Sequence, residues 1–185
     1  MLVVFVIPSY LTYKRTGINP FRFNKEESAI NYVGKAYKIL AACAFVLIVI
    51  NAFFPSVIQY LTPIEVLETE YLCWIGFGLL HLSFIVIFIA QRNMGNQWRI
   101  GIDDRNKTNL VTKGLFSWSR NPVFLGVILV FLGLFLIIPN VATAIILVSG
   151  YLIIQIQVRL EEEFLSTQLG KEYHQYKKNV KRWLL

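Results

Sequence analysis

The apolar residues of this 185-residue chain fall in long unbroken blocks rather than in the alternation of a half-buried strand. Ile39–Tyr60 and Tyr71–Gln91 are each long enough to cross a hydrocarbon core of about 30 Å as a helix, for which roughly 20 residues suffice. Val123–Ile138 and Val141–Val158 are two further runs, separated only by Pro139-Asn140, a pair that stops one helix and turns the chain. They predict a helical hairpin. Its first arm is short for a full crossing, which requires a start as early as Asn121, little tilt, or a locally thinned bilayer. Met1–Tyr13 precedes Lys14-Arg15, so its charge follows the apolar run and no small-residue cleavage site is present. That segment therefore reads as a first helix rather than a signal peptide.

A composition with 56% hydrophobic and 16% charged residues is too apolar for an ordinary soluble domain of this size. All 18 Lys and Arg lie in three segments, Lys14–Lys38, Arg92–Arg120 and the tail from Arg159, while Leu61–Glu70 holds none and carries Glu65, Glu68 and Glu70. The cation bias of membrane loops then predicts five crossings, with the amino terminus outside and every cationic segment in the cytosol. The net charge of +7 is read as orientation and lipid-headgroup contact, not as a nucleic-acid surface. Cys43 and Cys73 both fall inside apolar runs, which speaks against a disulfide framework or a thiolate metal site. His81 is likewise inside a helix, where an imidazole is expected to bond a neighbouring helix.

Polar chemistry in such a protein concentrates where loops meet helix ends. Two stretches qualify, Met94–Gly126 leading into the hairpin and Gln157–Trp183 leading out of it. The hairpin's arms are antiparallel and closely joined, so its cytosolic ends lie side by side and Arg120-Asn121-Pro122 meets Glu161-Glu162-Glu163. Consecutive helical residues diverge by about 100°, so the three glutamates cannot all face inward. Glu161 shares a face with Gln157, and Arg159 can reach Glu162 or Glu163. A surface pair of that kind contributes little, and acids just past a membrane helix are usually solvated. Pro122 suits a first helical turn, and Gly126 one turn later permits close helix approach. Tyr173, Tyr176 and Trp183 among Lys177, Lys178, Lys181 and Arg182 suggest an interfacial amphipathic helix lying along the membrane.

The block Met94-Gly95-Asn96-Gln97-Trp98-Arg99 is followed by Asn109-Leu110-Val111-Thr112-Lys113-Gly114-Leu115-Phe116 and Ser119-Arg120-Asn121-Pro122-Val123-Phe124-Leu125-Gly126. After the hairpin come Arg159-Leu160-Glu161-Glu162-Glu163-Phe164-Leu165 and Leu169-Gly170-Lys171-Glu172-Tyr173-His174-Gln175-Tyr176. In order and spacing this resembles the isoprenylcysteine carboxyl methyltransferase family and its relatives, the phospholipid N-methyltransferases. The resemblance covers roughly the last 90 residues.

It implies an all-α polytopic membrane protein with N-terminal transmembrane helices over 1–91. A cofactor-binding catalytic region, with a C-terminal hairpin and a cytosolic pocket, follows over 92–185. The implied cofactor is S-adenosylmethionine, contacted by Asp103, Thr108, Asn109, Leu110, Val111, Phe116, Asn121, Pro122, Val123, Phe124, Glu161 and Glu162. A desolvated carboxylate suits its ammonium, and Phe116, Phe124 and Leu110-Val111 suit its adenosine. No metal is implied. The acceptor is expected to be a lipid-like or small amphiphilic molecule entering from the bilayer, methylated on a carboxyl oxygen or an amine.

Asn121 stands where the carboxyl methyltransferases usually have His, and Phe124 where they have Tyr. Gln157 stands where eukaryotic members place a substrate-orienting Arg. Arg159, two residues on, is the candidate catalytic residue, with deprotonation left to its neighbourhood, to solvent, or to no residue. Two other readings share the architecture: a sterol-type reductase using NADPH, and a membrane protein that keeps the fold without turnover. Val123 and Val127 stand where the reductases typically show Asn and Glu, which favours methyl transfer.

Overall fold

The computed structural model describes residues 9–15, 17, 29–98 and 109–184. Among these, every regular element is helical: residues 9–15, then α1 (Ala29–Phe53), α2 (Glu70–Met94), α3 (Pro122–Ile137), α4 (Val141–Leu169) and α5 (Lys171–Asn179). Helices α2 and α4, and Asn31–Phe53 within α1, are long and apolar enough to cross a membrane, while α3 is a shorter apolar helix. At 16 residues and 1.5 Å rise, α3 is about 24 Å long, short of a full core. The chain is an integral membrane protein. Large apolar side chains such as Phe45, Phe77, Ile85, Phe88, Val148, Leu152 and Ile156 point outward from the bundle. They form the belt that lipid, not water, would cover.

Two expected boundaries move. The first long helix begins at Ala29 rather than Ile39 and ends at Phe53, because Pro55 cannot extend it and instead opens a separate turn, Pro55–Ile58. Helix α4 runs past Val158 to Leu169, so its last three turns carry Glu161–Glu163 beyond the apolar stretch. The hairpin turn between α3 and α4 forms as the sequence predicts. Asn140 caps α4 by accepting from the Thr143 amide at 2.9 Å, and the Thr143 hydroxyl accepts from the Asn140 amide at 3.2 Å.

That turn is also paired to the acidic loop between α1 and α2. The Ile64 amide donates to the Pro139 carbonyl at 2.8 Å and the Val141 amide to the Thr62 carbonyl at 3.1 Å. Both connections therefore lie at one end of the bundle, and the end of α2, the start of α3 and the end of α4 lie at the other.

Helix packing relies on glycine. A Cβ on Gly76 of α2 would stand 2.8 Å from the Gly133 carbonyl oxygen of α3, and one on Gly133 would stand 2.9 Å from that of Gly76. The two backbones touch reciprocally, as expected where close packing, not water exclusion, holds helices together. Gly126 plays the same part against Ile87. The buried core of Leu40, Ala44, Leu47, Ile87, Val127, Phe131, Ile154 and Val158 lies between the four helices. His81 bonds the Phe77 carbonyl of its own helix at 2.8 Å, not a neighbouring helix. Cys43 and Cys73 are free thiols.

Gly133→Ala should destabilise the detergent-solubilised protein by about 1–3 kcal/mol, because the backbone facing it cannot yield. Gly78→Ala, where an added methyl meets nothing within 4 Å, should be neutral or stabilising by about 0.5–1 kcal/mol. Thermal unfolding should show a lowered melting temperature for the first variant and an unchanged or raised one for the second.

Candidate functional site

Four pieces of chain converge at the cationic end: the loop before α3, the first turn of α3, the end of α4 and the tail after α5. Local rules set each piece. Gly114 adopts φ +64, and a side chain there would collide with Asn93 of α2. Asn93 Oδ1 accepts from the Leu115 amide at 2.9 Å, which pins the loop to α2. The turn Gly114–Ser117 follows, with Phe116 buried. Ser119 Oγ accepts from the Asn121 amide at 3.1 Å, and Pro122 takes the first helical position of α3.

At the centre is Glu162, 4% exposed. Its Oε1 accepts from Arg120 Nη2 at 3.0 Å, Arg120 Nε at 3.2 Å, Arg182 Nε at 3.1 Å and Asn121 Nδ2 at 3.3 Å. Its Oε2 accepts from Arg182 Nη2 at 2.8 Å. Two guanidiniums and one amide thus use up a single buried carboxylate. The same arginines reach further. Arg120 Nη1 donates to the Val180 carbonyl, and the Arg120 amide to the Lys181 carbonyl at 3.0 Å. Ser119 Oγ and Asn121 Nδ2 both donate to the Arg182 carbonyl. The tail is therefore strapped across the Asn121 loop.

Helix α5 completes the strap. Tyr173 and Tyr176 are buried, and the Tyr176 hydroxyl donates to the Phe116 carbonyl at 2.6 Å. The expected interfacial helix thus turns its aromatic face into the protein rather than toward lipid, because the phenol finds an acceptor there. Burial pushes the Tyr176 phenol up to about 12, opposed by the Arg120 charge and assisted by that of Glu162. It stays a neutral donor throughout the physiological range. The hydrogen bond to Glu162 raises the pKa of Arg182, a guanidinium that is charged throughout the physiological range in any case.

Of the residues singled out in the sequence, Phe116, Asn121, Pro122 and Glu162 come together in this buried layer. Glu161 is half-buried beside it, and Glu163 is exposed. Leu110 and Val111 are half-buried on the preceding loop, where the exposed Asn109 donates its amide to Gln97 Oε1 at 3.3 Å. Val123 is half-buried on the first turn of α3, and Phe124 packs against the apolar core. Asp103 and Thr108 lie outside the described residues. Arg159 does not reach Glu162 or Glu163. It is exposed and folds back along its own helix to the Gln155 carbonyl at 2.8 Å and Gln155 Oε1 at 3.0 Å. The cations that do reach Glu162 come from 42 residues upstream and 20 downstream. The hairpin predicts that the Arg120 loop meets the glutamates, as it does, whereas no local spacing marks Arg182.

This is the arrangement of an all-helical membrane protein whose helix ends enclose a polar site. The family model for phospholipid methyltransferases matches residues 71–172, more than half of the chain. The chain belongs to that family of membrane methyltransferases. Protein-S-isoprenylcysteine O-methyltransferase of Saccharomyces cerevisiae is 26% identical over 175 residues, covering 92% of this chain and 70% of that protein. The solved structure of the eukaryotic intramembrane Ras methyltransferase ICMT (isoprenylcysteine carboxyl methyltransferase) shares the fold at a TM-score of 0.64 and 19% identity. That match covers 97% of this chain and 61% of the other, so the chain spans about three fifths of the solved protein's length. Family membership favours methyl transfer over the reductase reading.

Glu162→Ala should cost about 3–5 kcal/mol, since it strands the buried Arg120 charge. Arg159→Ala, at an exposed position, should stay within about 0.5 kcal/mol of wild type. Thermal unfolding reads both, and protease nicking of the tail should accelerate only in the first.

Proposed function

We propose that this protein transfers a methyl group from S-adenosylmethionine to a lipid-like or small amphiphilic acceptor, on a carboxyl oxygen or an amine. The observation that carries this is the buried meeting of Asn121 with Glu162 at 3.3 Å, which brings the loop and α4 together in a member of a methyltransferase family. The names of the relatives, one set phospholipid and the other isoprenylcysteine, share an acceptor that is an amphiphile anchored in the bilayer.

The residues present suit the cofactor. Glu161, half-buried beside the Glu162 clamp and part of the family-like acidic block, is the carboxylate assigned to the cofactor's ammonium. Leu110, Val111 and Phe116 supply an apolar wall for adenosine, with Asn109, Asn121, Pro122 and Val123 shaping the loop around it. Asp103 and Thr108 stay candidates on the sequence pattern. Bound S-adenosylmethionine supplies an electrophilic methyl on a sulfonium whose charge vanishes on transfer, so the protein's tasks are positioning and water exclusion. Arg159, at the exposed edge of α4, is assigned to the acceptor's headgroup.

The cation bias of the loops supports a cytosolic position for this end of the bundle and for the tail. In a variant lacking Cys43 and Cys73, a cysteine at Val66 should react with a membrane-impermeant maleimide on intact cells. One at Lys178 should react only after permeabilisation. The reverse pattern would invert the topology.

Calorimetry should show cofactor binding weakened about 10- to 100-fold in Glu161→Gln, corresponding to about 1.5–3 kcal/mol for a charged hydrogen bond. Unchanged affinity would remove Glu161 from the site. Transfer of tritiated methyl to lipid extracts or to prenylated thiols would assign the acceptor class.

A further inference from the structure

Gln91 of α2 is 4% exposed, and neither its Oε1 nor its Nε2 has a hydrogen-bond partner. A buried amide left unpaired is costly, and native interiors rarely carry one without a reason. Its position suggests the reason. Gly76 abuts Gly133, and Ile87 abuts Gly126. Continuing that antiparallel register one turn brings Gln91, which shares a face with Ile87, level with Pro122, the residue after Asn121. Two residues on, Asn93 holds the loop by the Leu115 amide. Gln91 therefore stands between the apolar layer of Ile87, Val127 and Val158 and the polar layer of Asn121 and Glu162.

We propose that Gln91 is an acceptor-binding residue whose side-chain amide hydrogen-bonds the polar headgroup of the methyl acceptor; this rests on the functional reading above. A soluble cofactor arrives from the cationic end, whereas an acceptor with its tail in the bilayer brings its head in at membrane depth. An uncharged amide is the polar group such a depth tolerates at least cost. It can donate to a carboxylate through Nε2 or accept from an ammonium through Oε1. The two acceptor chemistries thus share one contact.

The test uses the full chain in detergent, with Gln91→Leu beside wild type and two probes: N-acetyl-S-farnesylcysteine, and phosphatidylethanolamine in mixed micelles. The melting temperature of ligand-free Gln91→Leu should equal or exceed that of wild type, because the unpaired amide is gone. KM for the probe that wild type methylates should rise at least 10-fold, with cofactor affinity unchanged. Which probe responds tells a carboxylate from an amine. A lower melting temperature in the variant would make Gln91 a structural residue and overturn the proposal. So would an unchanged KM, or a matching loss of cofactor affinity. If wild type methylates neither probe, the functional reading fails. The Gln91 contact is then judged by whether either probe thermally stabilises wild type but not Gln91→Leu, and equal or absent stabilisation overturns it.

Discussion

A single carboxylate, that of Glu162, gathers the loop, the helix and the tail into one site. Two guanidiniums are drawn to it from opposite directions along the chain, at 3.0 Å and 2.8 Å. With side-chain exposures of 8% for Arg120 and 5% for Glu162, the first pair is almost fully withdrawn from solvent. Burial of that kind is stabilising only when geometry and hydrogen bonding are nearly complete. The carbonyls of Lys177 and Val180 accept from the remaining nitrogen of the Arg120 guanidinium, and those of Lys181 and Arg182 accept from the Arg120 amide and Asn121 Nδ2 beside it. Glu162 is the partner common to both ion pairs, so its removal would leave the buried Arg120 guanidinium uncompensated, whereas loss of either arginine leaves the carboxylate paired with the other.

The clamp also divides labour between adjacent glutamates. A helix turns about 100° per residue, so Glu161 and Glu162 face different surroundings although they are neighbours in sequence. Glu162 is committed to holding the protein together, which leaves ligand chemistry to the edge of the clamp rather than its centre. The neutral Tyr176 phenol and the charged Arg182 keep the tail fixed without adding a titrating group near neutral pH.

Below the clamp the bundle is held by different means. In a bilayer, apolar side chains gain little by leaving lipid, so contact has to come from close backbone approach. Gly76 and Gly133 meet in that way, and the Asn140 capping box closes the far end where α4 starts. Gln91 leaves both atoms of its buried amide unpaired, where Asn140 leaves only Nδ2 unpaired and uses its Oδ1 to cap α4. Local departures from satisfaction of this sort are expected where a site is waiting for a ligand.

The linear order of residues determined that the protein is helical and membrane-embedded, because only helices satisfy the backbone within long apolar runs. It determined the hairpin as well, since proline followed by a capping asparagine is a local instruction. Pro55 carries the same kind of local instruction, and α1 ends two residues before it. The meeting of the Asn121 loop with the glutamates was also legible, being a consequence of two antiparallel arms joined by a tight turn. Only the tertiary structure decided which glutamate is buried, that Arg120 and Arg182 rather than Arg159 neutralise it, and that the tail's tyrosines face inward. Those outcomes depend on groups 20 to 60 residues apart in sequence, and no local propensity or periodicity encodes such distances.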